Sequence, residues 1–112
     1  MYYVYLIRCR DGSHYTGMAK ELSKRMKEHA ERGGACARYT RAHPIEALAA
    51  AWQTDTRSNA LRLEALIKTL TKQQKLALIA QPELLADIFG EKLKGAQYSA
   101  LRGITLDACL NE

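Results

Sequence analysis

Apolar and polar positions follow two different periods along the chain, and the changes of period mark out its elements. Tyr2-Tyr3-Val4-Tyr5-Leu6-Ile7-Arg8 is a nearly unbroken run of aromatic and branched aliphatic residues, the composition of a strand covered on both faces. Asp11-Gly12 is a strong turn signal, and Ser13-His14-Tyr15-Thr16-Gly17-Met18 reads as the antiparallel return strand of a hairpin. From about Lys20 to Ala30, Leu22, Met26 and Ala30 recur at helical spacing with charges between them. Gly33-Gly34 is expected to end that helix. Residues 32–44 are polar and basic and close on Pro44, which predicts a loop.

Ile45 to Gln53 is rich in alanine and open to a helical reading. Trp52, with Pro44 and Thr54-Asp55-Thr56 as boundaries, favours a strand for at least its second half. Asp55 or Thr56 can cap a helix from about Arg57, with Ala60, Leu61, Leu63, Leu66, Ile67 and Leu70 as its apolar positions. Thr71-Lys72-Gln73-Gln74 has the form of a capping box opening a further helix. Pro82 takes the favoured first position of a short helix that runs to about Phe89 before Gly90. Residues 91–112 contain Gly95 and Gly103 and read as a short helix or a loose tail. The order β-β-α-β-α-α predicts an α/β (α+β) class, a small mixed, mainly antiparallel three-stranded sheet flanked by helices. Residues 1–90 form the expected single domain and residues 91–112 an extension.

Composition narrows the function classes. The chain has 112 residues, 47% hydrophobic and 26% charged, values of an ordinary globular domain. Cys9, Cys36 and Cys109 form no C-x-x-C pair, which argues against a zinc ribbon, a thioredoxin-like motif or a disulfide framework and for a reducing cytoplasm. No basic segment precedes an apolar run at the N-terminus, and the longest apolar run, Ala47 to Trp52, is far too short to span a bilayer. No membrane partner is expected. The net charge of +5 is unevenly placed: residues 1–43 carry nine Lys or Arg and four acids, and residues 57–75 carry five bases and one acid. On one face, these two segments would present a field suited to phosphates; apart, they would be solvated helix surfaces.

Those two segments also hold the candidate chemistry. Tyr3-Val4-Tyr5 lies in the first strand and Tyr15-Thr16-Gly17 in the second, with nine residues between Tyr5 and Tyr15. Arg25 and His29 are one helical step apart, and Glu64 is the sole acid between Asp55 and Glu83. This constellation resembles the GIY-YIG nuclease superfamily, and in particular its small bacterial stand-alone members. The two tyrosine triplets match the namesake motifs read loosely, Arg25 the helix arginine, His29 the tyrosine-or-histidine position one turn on, and Glu64 the metal-binding glutamate. The likeness spans roughly residues 2–80. Tyr3 stands where the family has its first glycine, and Met18 stands where the nuclease domain of the bacterial excision-repair endonuclease has a lysine.

The resemblance implies a metal-dependent nuclease that hydrolyses DNA phosphodiester bonds with low sequence specificity, directed by structure or strand ends, in DNA repair or processing. It implies one Mg²⁺ (or Mn²⁺) bound through Glu64, and a single carboxylate completed by water and phosphate oxygens suits that ion. Arg25 would hold a phosphate oxygen bidentately. Tyr5 would activate water and Tyr15 orient it, or the reverse. A phenol with a pKa near ~10 can do so only where neighbouring cations depress that value. His29 would relay a proton or bind phosphate. Gly17, Lys24, Arg25, Arg38, Arg41 and Lys68 are the expected nucleic-acid contacts, with Gly17 admitting close approach of the backbone to substrate. Each residue also has a plainer role: Glu64 pairing with Lys68 at i+4, the tyrosines and His29 as core residues. DNA is favoured over RNA, no small-molecule cofactor is expected, and a monomer is the default. Met18 keeps a catalytically weak nucleic-acid-binding module of the same fold open, alongside a basic protein-interaction domain.

Overall fold

The first strand is apolar on both faces because it lies inside the sheet. In a computed structural model describing residues 1–112, β1 (Tyr2–Cys9) pairs on one side with β2 (His14–Ala19) and on the other with β3 (Ile45–Thr54). A two-residue β4 (Ser99–Ala100) extends β3, so the sheet is four-stranded in the order β2-β1-β3-β4 and antiparallel throughout. The expected three-stranded sheet is thus enlarged by one strand, too short to carry a period of its own. The helices are α1 (Leu22–Glu31), α2 (Arg38–Ala42), α3 (Arg57–Lys68), α4 (Lys72–Ala80), α5 (Leu85–Phe89) and α6 (Leu106–Leu110). None is long and apolar enough to cross a membrane.

Side chains of β1 alternate between two cores. Val4 and Leu6 join Ala50 and Trp52 in a cluster closed by Leu63 and Ile67 of α3, Leu78 of α4 and Phe89 of α5. Tyr5, Ile7 and Cys9 join Ala51, Leu22 and Met26 of α1 and Cys109 of α6 in the other. The pairing of β1 with β3 shifts register between Leu6 and Ile7: Leu6 faces Ala50 while Ile7 faces Leu48. This bulge at Ala49 sends Leu48 and Ala50 into opposite cores, which breaks the two-residue period over residues 45–54. It explains why half of this strand reads ambiguously in the sequence. The strand runs its full length because β1 supplies its backbone partners.

Local signals place the connections. Gly12 adopts φ +84° in the β1–β2 turn, where Asp11 Oδ1 accepts from the Ser13 amide at 3.0 Å. Thr56, the nearer of the two candidate caps, accepts from Asn59 N at 3.0 Å, and Thr71 with Gln74 closes the capping box. The first helix differs: its left-handed C-cap is Arg32 at φ +56°, not either glycine. Arg32 is held there by its guanidinium, which donates twice to the Arg41 carbonyl at 2.7 and 3.0 Å. The expected loop 32–44 accordingly folds back and contains α2. Residues 91–112 pack on the sheet: α6 lies against α1 with Cys109 buried, and Thr54 Oγ1 donates to the Gln97 carbonyl at 2.8 Å.

Candidate active site

The hairpin register sets Tyr5 opposite Gly17. A Cβ on Gly17 would stand 2.5 Å from Tyr5 Oη, 2.6 Å from Tyr5 Cζ and 3.0 Å from Tyr15 Cε2. The glycine is needed for space: the Tyr5 phenol lies flat across its backbone, and Gly17 is itself buried. The close approach made at this position within the fold is that of Tyr5.

Tyr5 and His29 are both buried and meet at 2.8 Å between Oη and Nε2. On the far side of the imidazole, Nδ1 lies 2.7 Å from Thr40 Oγ1 on α2. The Thr40 hydroxyl spends its proton on the Ala37 carbonyl at 3.3 Å, so it accepts from His29 Nδ1–H. Nε2 is then an acceptor, and the Tyr5 hydroxyl donates to it. The result is a directed chain, Tyr5 to His29 to Thr40. Thr40 was not legible as a site residue, because it stands on a single helical turn inside a polar segment and meets His29 only through the fold. Tyr15 borders the same group, its ring 5.4 Å from His29 and 6.5 Å from Tyr5. Tyr39 stacks on Tyr15 at 5.8 Å, and His43 stacks on Tyr39 at 4.1 Å.

Burial dominates the electrostatics. It lifts the Tyr5 phenol well above its ordinary value, against the lowering effect of the neighbouring Arg25, while Tyr15 and Glu64 push it further up. Among the protein's own groups, burial therefore outweighs Arg25 at this phenol. Burial, with Arg25 adding to it, pushes His29 down to about 4, so the imidazole is neutral at pH 7.

The His29 shift has a consequence for stability. Its folded pKa lies below the unfolded value of 6.5, so between these values the unfolded chain binds the extra proton. The stabilisation is fully present above pH 6.5 and is lost as pH falls towards about 4, amounting to at most about 3 kcal/mol. Glu28 is held low by its hydrogen bond from Arg25, and Asp11 by hydrogen bonds from Ser13. Both matter only nearer their ordinary values of 4.5 and 3.8. Denaturant unfolding should therefore show stability falling between pH 6.5 and 5 in the wild type, with that slope reduced in His29→Gln.

Arg25 flanks the tyrosine. The Arg25 guanidinium is one-quarter exposed and donates to Glu28 Oε1 at 2.8 Å and to the Ala35 carbonyl at 2.7 Å. Glu64 stands on α3, which packs across β1 and β2; its side chain is 19% exposed and its charge raises the Tyr5 phenol. Lys68 lies 3.7 Å from that carboxylate, the pairing expected at i+4. A groove of about 260 Å³ opens beside Arg25, lined also by Met18, Lys20, Lys24 and Glu28. Tyr5, Tyr15, His29 and Arg25 thus form one neighbourhood, with Lys24 at its edge. The core side of α3 packs with Val4 and Leu6 on the other face of the sheet, and Glu64 acts on Tyr5 only through its charge. Arg38 is exposed on α2, and Arg41 is turned to the Gly33 and Gly34 carbonyls at 3.4 Å each. No group of three His, Cys, Asp or Glu side chains stands together anywhere in the chain. A metal held through Glu64 would have to take its other ligands from water and phosphate oxygens, the coordination a hard ion such as Mg²⁺ accepts.

A family model described as the GIY-YIG catalytic domain matches residues 1–77, the span from β1 into α4. A UPF0213 protein of Fusobacterium nucleatum is 42% identical over 82 residues, 73% of this chain and 80% of that protein. One from Staphylococcus saprophyticus is 41% identical over 80 residues, 71% of this chain and 95% of that protein. The solution NMR structure of a UPF0213 protein from Bacillus halodurans is 33% identical, covers 81% of this chain and 96% of that one, and superposes with a TM-score of 0.48. By the match of its first 77 residues and these relatives, the chain belongs to the GIY-YIG family, a family of nuclease domains.

Proposed function

We propose that this protein is a metal-dependent nuclease that hydrolyses DNA phosphodiester bonds with little sequence specificity, in repair or processing of DNA. The observation that carries this reading is the 2.8 Å contact between Tyr5 Oη and His29 Nε2, with Arg25 beside the phenol. Tyr5 need not exist as a phenolate. As a water attacks phosphorus, its proton passes to Tyr5 Oη while the Tyr5 proton passes to His29 Nε2. The P–O bond to the leaving sugar oxygen breaks, and that oxygen takes a proton from solvent. The imidazolium that forms keeps its Nδ1–H on Thr40. Arg25 exchanges Glu28 for a non-bridging phosphate oxygen and stabilises the charge that develops there. Mg²⁺ (or Mn²⁺) bound through Glu64 would neutralise charge on the phosphate and the leaving oxygen. Low specificity follows because these contacts address the phosphate and no base edge.

Met18, at the position where the excision-repair nuclease domain has a lysine, lines the groove beside Arg25 and favours a second reading, binding with weak catalysis. Cleavage assays on single-stranded, duplex and branched DNA and on RNA, with Mg²⁺ or EDTA, separate the two. Mg²⁺-dependent cutting supports the nuclease. Strongly salt-dependent binding without cutting leaves the weak module, and neither binding nor cutting removes both and points to a protein partner. Glu28→Gln is expected to raise DNA affinity about two- to tenfold in EDTA, because it frees Arg25 and removes a negative charge from the groove. Fluorescence anisotropy measures it.

A further inference from the structure

Outside the site just described, the unmatched hydrogen-bonding capacity of the chain gathers at the other end of the hairpin. Two buried side-chain atoms have no partner, His14 Nε2 and Thr16 Oγ1, and they belong to alternate residues on one face of β2. Burying such an atom unpaired costs about 1–3 kcal/mol, so its retention calls for an explanation. His14 lines a concavity of about 330 Å³ between the β1–β2 turn and the start of α4, together with Asp11, Ser13, Tyr39, Lys72 and Lys75. Lys72 and Lys75 are one helical step apart, and neither has a carboxylate within ion-pair distance. The one acid in the pocket is already engaged: Asp11 accepts from the amide and hydroxyl of Ser13 at 3.0 and 2.5 Å, and its other oxygen lies 2.6 Å from His43 Nδ1. Burial first, then the charges of Lys72, Lys75 and Arg8, push the His14 imidazole down, which places three cations around one ring.

We propose that this pocket is a second phosphate site, in which Lys72 and Lys75 hold a phosphate of the nucleic-acid strand flanking the bond at the Tyr5 site. The assignment rests on the nuclease reading for its choice of ligand. The two sites share one aromatic wall, because Tyr39 lines the pocket and stacks on Tyr15, which borders His29. A strand leaving the Tyr5 site along that wall arrives at the lysines. His14, with its Nε2 unpartnered, lines the same pocket and adds a hydrogen-bonding group. A strand gripped at two phosphates is fixed in direction across the sheet without any base contact, which gives the enzyme a polarity but no sequence preference.

The test measures binding, not cutting. DNA affinity is determined in EDTA over a range of salt for the wild type, Lys72→Ala/Lys75→Ala, Lys72→Glu/Lys75→Glu and the remote control Lys92→Ala. Thermal melting checks the fold; both lysines project from the first turns of α4, where their charge does not help the helix dipole. The alanine pair should bind at least about tenfold more weakly and lower the slope of log K against log salt by about one to two. The glutamate pair should bind more weakly still, and Lys92→Ala should match the wild type. A strand with and without a terminal phosphate identifies the source. A gain from that phosphate that vanishes in the alanine pair assigns the strand end, and equal binding assigns an internal phosphate. Wild-type affinity and slope in both lysine pairs would overturn the site even if the protein cuts DNA. A wild type that binds without cutting, and loses affinity in the lysine pairs, overturns only the nuclease reading.

Discussion

Replacing Glu64 by glutamine should lower the single-turnover rate of DNA cleavage in Mg²⁺ by at least about 10³-fold, about 4 kcal/mol of barrier, while the protein stays folded. The size follows from the donor set. No cluster of three His, Cys, Asp or Glu side chains is present to take over a metal in its place. The selectivity follows from packing: Glu64 makes only the 3.7 Å pair with the exposed Lys68, and such a helix pair contributes a few tenths of a kcal/mol. Affinity for DNA in EDTA should stay level or rise, since the substitution removes a negative charge beside a phosphate site. Rate and affinity measured on the same preparation check both halves.

Gly17→Ala is expected to be the most damaging small substitution in the chain. Its Cβ would sit 2.5 Å from Tyr5 Oη and 2.6 Å from Cζ, distances no van der Waals contact allows. Tyr5 has little room to yield: it is 1% exposed, its hydroxyl is tied to His29, and Tyr15 stands 3.0 Å from the new methyl on the other side. The variant should lose about 1–3 kcal/mol of stability, read by denaturant unfolding, through overpacking. It should also lose at least about 10²-fold in cleavage, because a proton relay displaced by an ångström no longer aligns. Gly17→Ala combined with Tyr5→Phe should regain part of the stability but none of the activity.

These residues differ in how openly the sequence displays them. The hairpin, the capping box at Thr71 and the helix from Arg57 are local: their periods and caps are complete within a dozen residues, and the structure reproduces them. The two tyrosine triplets, Arg25, His29 and Glu64 were legible because their order and spacing match a family pattern. Three features were not. The bulge at Ala49 belongs to a pairing between distant strands and leaves only an irregular alternation. The Thr40 contact needs α2 folded back on α1, an arrangement held by Arg32 bonds to the Arg41 carbonyl that no spacing rule predicts. The third is the direction of the Tyr5 shift. Spacing sets Arg25 near Tyr5, but burial is a property of the folded core and outweighs that cation. In the proposed reaction Tyr5 accordingly acts as a phenol that passes a proton on.

The relay is therefore the central claim, and Tyr5→Phe tests it most directly. Phenylalanine keeps the ring over Gly17 and removes only the hydroxyl that donates to His29. Single-turnover cleavage of end-labelled DNA in Mg²⁺, at concentrations that saturate binding, should fall by about 10²–10⁴-fold in Tyr5→Phe, with DNA affinity unchanged. Cleavage by Tyr5→Phe at the wild-type rate, or a wild type that leaves every DNA form intact in Mg²⁺, would contradict it.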